Sequence, residues 1–195
     1  MLIEIAAIVI GYLLGSIPAA YIVGKLRKGI DVRNVDSTGN MGAGSTFRQV
    51  GIWEGMLVGA TDLAKGAVTI IIAQALGISE LWVLGAGFAA ILGHNFPVYV
   101  GFRGGQGIAT IMGVFFILAP VAMAITTVLA CIVVLITRRL FASVYVAAPT
   151  LPLFIWLFES STVLIFYSLA ILIYLCIKTL YRIKEVQAIF IKSKG

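Results

Sequence analysis

Charge is what this sequence has least of. Only 11% of its 195 residues are charged, while 61% are hydrophobic and the mean hydropathy is +1.10. An ordinary soluble domain carries about 25% charged residues, so a cytoplasmic globular protein is excluded. Disorder is excluded too, because it needs low hydrophobicity and high charge. Cysteine and histidine are also scarce. Cys131 and Cys176 lie inside apolar runs without ligand-like neighbours, which argues against a disulfide framework or a zinc site. His94 is the single histidine, so a histidine-built metal site is not expected. There is no Ser-His-Asp set and no His-x4-Asp acyltransferase pattern.

What remains is a series of apolar runs of ~17–23 residues, the length that spans a ~30 Å hydrocarbon core. The net charge of +6 flanks these runs, as the positive-inside rule expects, so it is read as topology and no nucleic-acid partner is expected. The first run lacks a basic leader and is followed by further spans, so it is not read as a cleavable signal peptide.

The pattern predicts an all-α polytopic membrane protein, one integral-membrane domain over residues 1–195 with seven transmembrane helices. The first span is Leu2 to Val23. The basic segment after it, with Lys25, Arg27, Lys28, Arg33 and Arg48, belongs to the cytoplasm and places the amino terminus outside. Further spans are read at Glu54–Leu76 and Leu81–Phe96. The 29 residues from Ile108 to Ile136 must cross an even number of times, because Arg103 before them and Arg138 with Arg139 after them both belong inside. Pro120 offers the break for two short helices, Ile108–Ala119 and Pro120–Ile136; one long tilted helix is the alternative. Spans at Phe141–Phe158 and Thr162–Ile177 then leave a basic tail, 178–195, in the cytoplasm.

Polar residues concentrate in two cytoplasmic segments, about 24–53 and 97–107. The first runs from Asp31 to Arg48 and sets glycines and small hydroxyl residues between arginines. Glycine lets backbone N–H groups turn in around an anion, and arginine offers a planar fork to phosphate. The second runs Gly93-His94-Asn95-Phe96-Pro97 and then Gly101-Phe102-Arg103-Gly104-Gly105-Gln106-Gly107, opening an apolar helix. A glycine turn at a helix start is an anion site, because unsatisfied N–H groups and the helix dipole point the same way. It is not a Walker loop, since Lys-Ser/Thr is missing. A flexible basic loop and a tight surface turn are the plainer readings of the two segments. His94 reads as an interfacial histidine or a catalytic one. Asp62 and Lys65 sit three residues apart inside the second span, on one helix face, either as a packing pair or as a functional one.

These residues carry a resemblance. Gly15-Ser16-Ile17-Pro18, Asp31-Val32-Arg33, Gly39-Asn40-Met41-Gly42-Ala43, Asp62-Leu63-Ala64-Lys65-Gly66, Gly93-His94-Asn95-Phe96-Pro97 and Phe102-Arg103-Gly104-Gly105-Gln106-Gly107-Ile108-Ala109-Thr110 resemble the motifs of the bacterial acyl-phosphate:glycerol-3-phosphate acyltransferases, the PlsY family. The specific motifs cover Gly11 to about Thr110; the remaining spans match in length and topology.

The resemblance implies a multi-pass enzyme of phospholipid biosynthesis in the inner (cytoplasmic) membrane, with its active site on the cytoplasmic face. It implies transfer of a fatty acyl group from acyl phosphate to the 1-hydroxyl of glycerol 3-phosphate, releasing lysophosphatidic acid and phosphate. No cofactor or metal is expected. The partners are acyl phosphate, glycerol 3-phosphate and membrane lipids, with a homodimer left open. The implied catalytic residues are Thr38, Arg48 and His94. Arg33, Ser37, Gly39, Asn40, Asn95, Arg103, Gly104, Gly105 and Gln106 are the implied substrate-binding residues.

Four departures stand out. The family's second motif usually reads Phe-Lys-Gly-Gly-Lys-Gly; here Arg103 and Gln106 replace the lysines. Thr38 replaces the serine before Gly-Asn, with Ser37 ahead of it, and Ser45 takes the place of an asparagine. In the third motif, Tyr181-Arg182-Ile183-Lys184-Glu185-Val186, the usual His and Asn fall at Ile183 and Val186. A weakened paralogue that binds acyl phosphate or lysolipid as a regulator is therefore one alternative; a small transporter is another.

Overall fold

The computed structural model describes residues 1–36, 39–138 and 140–192, and gives side chains for these except 140–142 and 182–192. The described residues are helical, with no strand among them. They form two compact units, the first from Met1 to Ile117 and the second from Leu118 onward. Among the described residues, five helical stretches are long and apolar enough to cross a membrane: Leu2–Lys28, Ile52–Ala75, Glu80–Val100, Pro120–Thr137 and Thr162–Tyr181. Ile108–Leu118 and Ser143–Glu159 are apolar but shorter.

The first unit opens with α1 (Leu2–Gly15) and α2 (Ala19–Lys28). The sequence predicts one span here, and the structure divides it at Ser16–Pro18. Pro18 has no N–H for the next helical bond and restricts the residue before it. The Ile17 carbonyl, freed from the regular ladder, accepts instead from the Ala19 N–H at 3.1 Å. After α3 (Val32–Val35) and α4 (Ala43–Gln49), the long helix α5 (Ile52–Ala75) runs beside α6 (Glu80–Asn95).

Small residues let α1 and α6 approach closely, as expected where lipid leaves no hydrophobic drive between helices. Gly11 lies against the Ala86 carbonyl, Gly15 against Ala90, and Gly93 against the Tyr12 carbonyl; a Cβ at any of these glycines would collide with backbone. The order Gly11 with Ala86, Gly15 with Ala90 and Ser16 with Gly93 ascends along both helices, so they run parallel. At their shared end the Tyr12 hydroxyl donates to the Phe96 carbonyl at 2.8 Å. Gly66 and Gly113 similarly bring α5 against α7 (Ile108–Leu118).

The 108–136 stretch is two helices rather than one. α7 stops at Leu118, Ala119 leaves helical geometry with φ −146° and ψ 69°, and Pro120 opens α8 (Pro120–Thr137) at its first position. Proline suits that position because its missing N–H is unpaired there in any case.

The second unit continues with α9 (Leu140–Ala147), α10 (Leu151–Phe154) and α11 (Thr162–Lys192). Pro149 and Pro152 break what reads as a single span into a tight turn, α10 and a π-helical turn at Ile155–Glu159. A Tyr145–Thr179 hydroxyl pair, 2.6 Å apart, joins α9 to α11. The last helix runs well past the predicted end of its span at Ile177, through the basic stretch to Lys192.

Candidate active site

The first glycine segment is anchored before it turns. Asp31 caps α3, accepting from the Arg33 N–H at 3.1 Å, and Val32 is fully buried. The chain then turns at Gly39, whose N–H donates to the Asp36 carbonyl at 2.8 Å, and enters α4 through buried Asn40, Met41 and Gly42.

The second segment leaves α6 at Phe96 and makes one tight turn over Val98–Val100. It then passes through left-handed backbone at Gly101 (φ 71°) and Phe102 (φ 61°) before reaching α7.

The two segments meet at Gly105. Its N–H donates to the His94 carbonyl at 3.1 Å, and a Cβ there would strike His94 Nε2 on one side and the Met41 carbonyl on the other. Gly104 lies against the His94 and Asn95 carbonyls, and Gly107 against Asn95 Oδ1. The first helical bond of α7 runs from the Ile111 N–H to the Gly107 carbonyl at 2.8 Å. The N–H groups before Ile111 therefore have no intrahelical partner, which with the dipole makes this end attractive to an anion. Gln106 Oε1 and the Thr110 hydroxyl are buried beside it without a hydrogen-bond partner. Arg103 is exposed.

Beneath Gly105 lies a buried ionic group. Asp62 Oδ1 accepts from Lys65 Nζ at 2.9 Å and lies 3.3 Å from His94 Nδ1, all three side chains being about 95% buried. Lys65 Nζ also donates to the Ile17 carbonyl at 3.2 Å, the one released by the break before Pro18. Sequence spacing finds the Asp62–Lys65 pair. It cannot find His94 as the third member, because helical periodicity places residues on one helix and says nothing of which face of α6 meets α5.

Of the other expected site residues, Arg48 is half-exposed and donates through Nη2 to the buried Asp36 Oδ1 at 2.8 Å, with the Ser45 hydroxyl 3.4 Å away. Arg33 is engaged throughout: Nε and Nη2 hold Asp31, and Nη1 donates to the Val100 carbonyl at 2.6 Å and the Arg103 carbonyl at 3.4 Å. The hydrogen bonds from Arg33 hold the Asp31 carboxyl below its usual range, and Asp31 in turn raises the Arg33 guanidinium. Ser37 and Thr38 lie outside the described residues, as do the side chains of Ile183 and Val186.

An all-helical polytopic membrane protein whose polar residues converge on two glycine turns is the class these observations define. The family model described as glycerol-3-phosphate acyltransferase matches residues 5–188. The chain is 40% identical over 156 residues to glycerol-3-phosphate acyltransferase 1 of Dehalococcoides mccartyi, covering 77% of this chain and 74% of that one. It is 32% identical over 187 residues to the glycerol-3-phosphate acyltransferase of Geobacter sulfurreducens, covering 96% and 95%. Its fold is similar to the crystal structure of PlsY, an integral membrane glycerol 3-phosphate acyltransferase, in the glycerol 3-phosphate form. That match has a TM-score of 0.81 and 32% identity, over 93% of this chain and 92% of that one. The lysophosphatidic acid form gives a TM-score of 0.81 at 28% identity. The chain belongs to the glycerol-3-phosphate acyltransferase family.

Proposed function

We propose that this protein transfers a fatty acyl group from acyl phosphate to the 1-hydroxyl of glycerol 3-phosphate, forming lysophosphatidic acid and releasing phosphate. The observation that carries this reading is the meeting of the two glycine segments at Gly105, directly over His94. Acyl transfer between two phosphate-bearing substrates needs two neighbouring anion sites, and two such segments in contact supply that arrangement.

In this reading Arg48, Gly39, Asn40 and the Ser37–Thr38 hydroxyls hold glycerol 3-phosphate. Asn95, Arg103, Gly104, Gly105 and Gln106 hold the acyl phosphate, and His94 stands between the two. Backbone N–H groups and cations aimed at the carbonyl and the leaving phosphate stabilise charge as it develops. A phosphate oxygen of the substrate takes the hydroxyl proton, so no separate base is needed.

The chain crosses the inner membrane seven times, amino terminus out and carboxyl terminus in, with the site at the cytoplasmic surface. Support for that placement comes from exposed Phe96, Tyr99 and Phe102 around the second turn, where aromatic side chains suit the headgroup level.

The test uses purified protein in lipid, supplied with acyl phosphate and glycerol 3-phosphate. Release of phosphate with formation of lysophosphatidic acid is expected from the unaltered protein. Arg48→Ala is expected to lose about ten- to hundredfold in kcat/KM for glycerol 3-phosphate, the worth of a charged hydrogen bond of ~1.5–3 kcal/mol. Acyl phosphate binding without turnover would instead identify a regulatory paralogue.

A further inference from the structure

We infer that Arg33, the most conspicuous cation in the first motif segment, is a positioning residue for the second glycine turn and not a ligand to substrate phosphate. The inference rests on the reading of that turn as the acyl-phosphate site.

Arg33 has five N–H donors, and four are committed within the protein: Nε and one N–H of Nη2 to Asp31, and both N–H of Nη1 to the Val100 and Arg103 carbonyls. Its guanidinium carbon lies 5.3 Å from the Tyr21 ring centroid, so the face of the fork is covered as well. Side-chain exposure is only 12%. A cation so placed has little left to offer a substrate.

What it holds is informative. Val100 and Arg103 bracket Gly101 and Phe102, both in left-handed backbone. For Phe102 that conformation is unfavourable, and a residue stays there only when its surroundings over-determine it. Arg33 fixes the chain on both sides of the strained Phe102. The peptide between Arg103 and Gly104 is trans, so its N–H points opposite to its C=O. Drawing the Arg103 carbonyl toward Arg33 therefore turns the Gly104 N–H away from the guanidinium, and holds it ready for an anion on the other side. Asp31, itself the cap of α3, holds the Arg33 fork in the plane this requires.

The experiment compares full-length wild type, Asp31→Asn, Arg33→Lys and the double variant, all in lipid. It follows KM for each substrate, kcat, and backbone hydrogen exchange over residues 98–107. Both single variants are expected to raise KM for acyl phosphate about tenfold, because a displaced turn costs binding geometry. KM for glycerol 3-phosphate should stay within about twofold, and the double variant should be no worse than either single one, since the pair acts as a unit. The turn should exchange faster in all three.

Near-normal kinetics for Arg33→Lys and Asp31→Asn with unchanged exchange would overturn the inference, as would a selective rise in KM for glycerol 3-phosphate. Wild-type protein without turnover would defeat the acyl-transfer reading alone. Exchange over 98–107 would still decide the role of Arg33.

Discussion

Nδ1 of His94 lies 3.3 Å from Oδ1 of Asp62, the same oxygen that accepts from Lys65 Nζ at 2.9 Å. The same carboxylate oxygen faces both the ammonium and the imidazole, whose Nε2 lies toward Gly105. One buried carboxylate thus links the break in the first span, through Lys65 and the Ile17 carbonyl, to the turn that opens α7.

Removing that carboxylate leaves a buried ammonium without its counter-charge. Asp62→Asn is expected to destabilise the protein by about 3–5 kcal/mol, the range for breaking a buried ion pair. It should lower the midpoint of thermal unfolding and cut kcat sharply. Adding Lys65→Met to the same chain should recover much of the stability but not the turnover, because His94 stays unoriented. Recovery of both would show that the group serves packing alone.

Gly105 has no room for a side chain. Gly105→Ala would press a methyl group against His94 Nε2 and the Met41 carbonyl, and neither a backbone carbonyl nor a ring held by Asp62 yields easily. Overpacking of this kind costs about 1–3 kcal/mol. A fall in kcat/KM of tenfold or more is expected for Gly105→Ala, measured by lysophosphatidic acid formation. Wild-type kinetics would mean that the two segments separate during turnover.

Gln106 stands where the family usually has lysine, and its Oε1 is buried without a hydrogen-bond partner. Gln106→Lys would restore a cation beside the start of α7. A gain of about 1.4 kcal/mol in phosphate binding would lower KM for acyl phosphate tenfold. Steady-state kinetics in lipid would show it. An unchanged or higher KM would mean that the amide makes an interaction with substrate that lysine cannot replace.

The Asp31–Arg33 pair predicts a pH response of definite sign. Arg33 holds the Asp31 carboxyl below its ordinary value. Its contribution is therefore present above the unfolded-state pKa of about 4 and is lost as pH falls through the lower folded value. Wild type and Asp31→Asn should differ in thermal stability by a constant amount from pH 6 to 8 and converge only below pH ~4. Convergence near neutrality would rule out Asp31 as the titrating group.

The sequence by itself determined the all-helical membrane class of the fold and which segments hold its polar residues. Hydrophobic length and the side on which cations gather are local properties, written along the chain. So are the break at Pro120, which the structure places where the proline predicts, and the run of glycines ahead of an apolar helix. The breaks at Pro18, Pro149 and Pro152 were present as residues but hidden by continuous hydropathy, because a window average does not register a missing N–H.

What only the tertiary structure decided was which local features face one another. His94 joins Asp62 and Lys65 because α6 packs against α5 with the His94 face turned toward those two residues. Gly105 meets Met41 because two segments more than sixty positions apart in the sequence pack together. Arg33 looks like a phosphate ligand by composition, and its donors prove engaged with Asp31, Val100 and Arg103 instead. A guanidinium binds carboxylates, carbonyls and phosphates with the same fork; which of them it meets is set by packing between distant segments, and periodicity along one helix does not encode that.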